Sequence, residues 1–209
     1  MFVLSLTERV IGALSQGKVI RTVVANVLRL LAAAILLAGI YGIIELLKVS
    51  FRLPTQGTIG GLIATITFAA AIFASSQIIF LRADTVRDLG DSQYTVMPIL
   101  TILLRAAGEV YAVFTALTGL GGCAFIWLSG ISPAGILPGA GAVSPFSGGG
   151  GTFLDGLIFL IALALFGFAG LVFFYFLAEV IGVLHEMARD VRSLAKNSIP
   201  AAAPSTVAR

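Results

Sequence analysis

The chain has 209 residues, 58% of them hydrophobic and only 11% charged, with a mean hydropathy of +1.06. Soluble domains carry about 25% charged residues, so a water-solvated globule is excluded and lipid must be the solvent for much of the apolar surface. The net charge of +3 comes from Lys and Arg scattered at the ends of apolar runs, where membrane proteins keep them, so no nucleic-acid partner is expected.

The N-terminal stretch has no basic region before its apolar part and no small-residue cleavage site, so no signal peptide is expected. Its apolar residues Phe2, Leu6, Val10, Ala13 and Leu14 fit one face of a short helix on the membrane surface; a frayed segment and one packed against the bundle are the alternatives. The first span is expected at about 19–47. Its charge-free heart, Leu30 to Ile44, is flanked by Arg29 and Glu45, and the long stem of Arg29 allows its head to reach the interface. Pro54 and Gly57 mark a short connection. The second span, about 58–81, has 24 residues without a charge, enough to cross a core that takes about 20. It holds Thr65, Thr67, Ser75, Ser76 and Gln77. Gly60, Ala64, Ala71 and Ser75 suit a close helix contact; a hydroxyl-lined water path is the alternative.

A charged connection at 82–93 leads to a third segment, about 94–130. Pro98 fits its first helical turn, Arg105 and Glu109 stand at i, i+4 on one face, and Trp127 suits an interfacial anchor. Residues 130–152 are uncharged and rich in Gly and Pro, so they form neither a helix nor a central strand. They read as an extracytoplasmic loop with a flexible GGGG hinge; a partner-docking loop and a re-entrant pore element are the alternatives. The last span, about 153–185, has 23 charge-free residues between Asp155 and Glu179. It continues without Pro to 197 as an amphipathic helix in which Leu184, Met187, Val191 and Leu194 form an apolar stripe. The Ala/Pro/Ser-rich tail, 198–209, is expected to be disordered.

The fold class is therefore an all-α integral membrane protein, one domain over 1–197, with four transmembrane helices in a bundle and the last helix extended into the cytoplasm. Arg9, Lys18, Arg21, Arg82, Arg87, Arg189, Arg192, Lys196 and Arg209 fall on one side, and only Lys48 and Arg52 on the other. The positive-inside rule then puts both termini in the cytoplasm of a cell whose inner (plasma) membrane holds the chain. A faint echo relates 27–42 to 103–119, with Arg29 opposite Arg105, and 83–89 to 188–194, as two tandem helix pairs would.

Groups for chemistry are few. Cys123 is the only cysteine, which rules out an internal disulfide and a thiolate metal site, and it reads as a small buried apolar residue. His185 is the only histidine and lacks the second His of a zinc-protease helix; no metal, cofactor or enzymatic activity is expected. Ionisable residues near the membrane are the functional candidates. Arg29, Arg105, Glu109 and Glu179 are expected near one interface as an ion-paired lock, with Arg105 neutralising Glu109. The stripe of Leu184, Met187, Val191 and Leu194 is expected to be covered, first by residues 82–104 of the same chain; the equivalent helix of a second copy, a different protein, and the lipid surface after a bend at Gly182 are the alternatives. The leading functional reading is a non-enzymatic structural, accessory or assembly component of a membrane complex, whose partners are the lipid bilayer and further copies or other membrane subunits. The alternative is a small oligomeric channel or transporter using the polar second span or the Arg105/Glu109 pair.

Overall fold

A computed structural model describes residues 18–89, 96–131 and 151–198. The N-terminal apolar segment, residues 90–95 of the charged connection, residues 132–150 and the tail beyond Ser198 lie outside the described residues. The rest is four helices: α1 (Lys18–Ser50), α2 (Thr55–Arg87), α3 (Val96–Ser129) and α4 (Phe153–Ser198). Each is long and apolar enough to cross a membrane. A helix satisfies all of its own backbone groups, as hydrocarbon requires. The 33 residues of α2 span about 50 Å at ~1.5 Å per residue, more than the ~30 Å apolar core. The helices therefore run past the lipid at their ends. Their large outward side chains, Leu30, Leu37, Ile66 and Phe168 among them, are exposed, as a lipid-facing surface is.

The helices pack in chain order, α1 on α2, α2 on α3 and α3 on α4. No interface of that size joins α1 to α4. Neighbours are antiparallel, and glycines bring them close. A Cβ on Gly60 would lie 3.1 Å from Leu128 Cβ and 3.3 Å from the Phe125 backbone. A Cβ on Gly108 would lie 2.9 Å from Phe174 Cβ. Small residues are what let helices approach in lipid, where burial of apolar surface gives little drive.

This order brings the start of α1, the end of α2, the start of α3 and the far half of α4 to one end of the molecule. Here α1, α2 and α3 converge on a core of Leu28, Ala32, Ile79, Ala83, Val86 and Ile99, and Arg21, itself buried, donates to the Leu89 carbonyl. At the opposite end the α3–α4 connection closes into a neck. Gly130 ends α3 at φ +65°, the left-handed cap that glycine takes without strain, and the Gly151 amide donates to its carbonyl at 2.8 Å. The start of α4 is a capping box. Asp155 accepts from the Thr152 amide at 2.8 Å and from its hydroxyl at 2.7 Å, and the Asp155 amide donates back to Thr152 Oγ1. Trp127 donates to the Phe153 carbonyl at 2.9 Å and stacks on its ring.

The two hairpins do not repeat each other in register. Arg29 faces Asp84 across α1 and α2, but Arg105 faces Tyr175 across α3 and α4, not Arg189, which the sequence echo sets beside Asp84. Val86 is fully buried, whereas Val191, its counterpart in that echo, is exposed.

Candidate functional site

The charged end carries the polar cluster. Arg82 is the first charge after the apolar run of α2, and Glu109 the last before the apolar run of α3. Antiparallel packing sets the two opposite each other. The Arg82 Nε donates to Glu109 Oε2 at 3.1 Å and its Nη2 donates to Oε1, a two-point fork. Such forks fix geometry as well as charge. From α4, Tyr175 donates its hydroxyl to Glu109 Oε1 at 2.7 Å. One carboxylate thus ties together three helices.

Two members of the expected cluster have other partners. Arg105 does not pair with Glu109; it is exposed, with its guanidinium carbon 5.7 Å from the centroid of the Tyr175 ring. The i, i+4 spacing put both residues on one helix face, but Glu109 is met across the helix interface by Arg82, whose fork uses both carboxylate oxygens. Arg29 pairs with Asp84 at 2.6 Å, largely in the open. Glu179 is exposed and makes no ion pair among the described residues.

The hydroxyls of α2 turn mostly to their own helix. Thr65 donates to the Gly61 carbonyl, Thr67 to Ile63 and Ala64, and Ser76 to Ile72. Ser75 is buried without a partner among the described residues. Near the neck, where α1 and α3 part over α2, an apolar cavity of about 340 Å³ remains, lined among others by Leu46, Phe68, Phe114, Thr118 and Phe159.

The far half of α4 is the other feature. Gly108 of α3 meets Phe174 and Leu171 of α4, so the start of α3 lies opposite the middle of α4, near His185. With 46 residues against 34, α4 overshoots α3 by about 12 residues, or ~18 Å. Leu184, Met187, Val191 and Leu194 are 57%, 60%, 66% and 68% exposed. Among the described residues of 82–104 none covers the stripe: Leu184, level with the start of α3, is exposed, and α4 runs on past Val96, where α3 begins.

Sequence reasoning overlooked Arg82, Asp84 and Tyr175. For Arg82 a signal existed: a charge that ends one apolar run and a charge that precedes the next mark the same interface. For Tyr175, deep in an uncharged run, there was none. No protein-family model, curated protein or solved structure matches this chain.

Proposed function

We propose that this chain is a non-enzymatic assembly component of a membrane complex, embedded in the cell's inner membrane with both termini in the cytoplasm. The observation that carries this reading is the overshoot of α4. A helix that leaves the membrane with four large apolar side chains exposed on one stripe is unfavourable in water, since burial of each such side chain contributes about 1.5–3 kcal/mol. A protein surface is what relieves it. The orientation is supported by the ends of the helices: Arg21, Arg82, Arg87, Arg189 and Arg192 gather at the end from which α4 projects, with Lys48 and Arg52 at the other, as the positive-inside rule requires of a cytoplasmic face.

The test is the mass of the gently solubilised native particle. An assembly component gives a protein mass well above the 21.7 kDa of one chain, and Val191→Asp with Leu194→Asp reduces it. A wild-type particle holding a single chain, or a double variant with unchanged mass and melting temperature, overturns the reading. Purified protein in liposomes is expected to give no ion or solute flux; flux would favour the channel reading instead.

A further inference from the structure

We infer that the projecting half of α4 is one strand of a parallel coiled coil, and that its partner is α4 of a second copy of this chain. The inference rests on the assembly reading and names the partner. The stripe is not merely amphipathic. Leu184, Met187, Val191 and Leu194 are spaced three, four and three residues apart, the alternation of the a and d positions of a heptad. With Leu184 and Val191 at a and Met187 and Leu194 at d, the charged residues Glu186, Arg189 and Arg192 fall at c, f and b, outside the seam. The e positions hold Ile181 and Ala188, so Asp190 at g faces no acid across a pair. A β-branched residue at a with Leu at d, as in Val191 and Leu194, favours two strands.

The same phase continues back into the membrane. Val180 and Phe173 extend the d positions and Leu177 the a position, giving three heptads. Val180 and Phe173 are exposed, Leu177 is half-buried, and the a position before it, Gly170, lies against Tyr111 of α3. The seam is therefore open from Val180 through Leu194 and closes against α3 towards Gly170, so the chain keeps its own packing. Lipid is a poor occupant of the projecting part. The helix runs unbroken from Phe153 to Ser198 through Gly182, so the stripe stands away from the bilayer and does not lie along it. Two copies inserted in the same direction in one membrane bring their α4 helices together parallel and in register, which is the arrangement a heptad seam selects.

Disulfide trapping in native membranes tests this on the full chain. Cys123→Ser removes the only native thiol, and single cysteines are then placed at Val191 and Leu194 on the seam and at Arg189 and Ser193 off it. With a mild oxidant, the seam positions are expected to give covalent chain dimers and the other two little or none. Equal trapping at all four positions, or none at the seam in variants that keep the parent melting temperature, overturns the inference. Variants that lose stability are replaced by Leu184→Cys and Met187→Cys, which belong to the same seam. The two levels separate cleanly. No seam trapping in a native particle larger than one chain refutes the homodimer and leaves the assembly reading standing. A native particle of one chain refutes both.

Discussion

Arg82 of α2 grips both carboxylate oxygens of Glu109 of α3, at the level where the charge-free runs of the two helices end. Because Tyr175 of α4 donates to the same carboxylate, a single acidic side chain fixes the rotation of α3 against both of its neighbours.

Breaking this clamp should cost more than breaking a surface pair. The side chains of Arg82 and Glu109 are 28% and 22% exposed, between the exposed pairs worth about 0–1 kcal/mol and the buried ones whose disruption costs about 3–5 kcal/mol. Glu109→Ala should therefore lower stability in detergent by roughly 1–3 kcal/mol. A thermal-unfolding double-mutant cycle with Arg82→Ala should show coupling. Arg105→Ala, which loses only a ring contact, should cost about 0.5–1 kcal/mol. A larger loss at Arg105 than at Arg82 would reverse the assignment of partners.

Two glycines of equal helical standing should respond in opposite directions. A Cβ on Gly121 would strike Thr67 Oγ1 and lie 3.2 Å from the Ala64 backbone, so Gly121→Ala must push α2 from α3 and should destabilise by about 1–3 kcal/mol. A Cβ on Gly182 meets nothing within 4 Å, and Gly182→Ala should stabilise by up to about 1 kcal/mol through helix propensity alone. Melting temperatures of the two variants moving the same way would count against the packing described.

The capping box predicts a local effect. Thr152→Ala removes the Oγ1 that accepts from the Asp155 amide and donates to its carboxylate, and caps of this kind are worth about 1 kcal/mol. Hydrogen exchange should quicken in the first turn of α4, with the Arg82–Glu109 end unaffected. Uniform exchange along α4 would show that the cap does not act.

Topology is open to direct measurement. In a Cys123→Ser background, a cysteine at Arg52 should react with an impermeant reagent added to intact cells. Cysteines at Arg87 and Leu194 should react only after permeabilisation. Reaction of Leu194→Cys from outside would invert the orientation proposed.

The helices themselves were legible because lipid imposes so strict a demand: Thr58 to Leu81 has no charge, and hydrocarbon leaves such a segment little choice but a helix. The second span was expected at 58–81 and the helix runs Thr55–Arg87, its extra turns lying beyond the apolar run. The partner of Glu109 was not legible in the same way. Arg105 is four residues away in sequence and Arg82 is 27, yet the interface between antiparallel helices, not the surface of one, decides which guanidinium meets the carboxylate. The bareness of the α4 stripe was also out of reach, because it depends on the unequal lengths of α3 and α4 and on where Gly108 meets Phe174. Those are matters of register, to which composition is blind.

The neck between α3 and α4 has a further consequence. Gly130 and Gly151 are hydrogen-bonded to each other, so the chain leaves the membrane domain and returns to it at a single point. The two ends of the 20-residue stretch between them are thus held together by the described residues alone. Closing a loop twice as long costs only about 0.6 kcal/mol more. An affinity tag spliced between Gly139 and Ser147 should therefore leave the Gly130–Gly151 bond, and with it the Glu109 clamp and the α4 seam, in place; a fall in melting temperature on insertion would show that the neck does not isolate the helices.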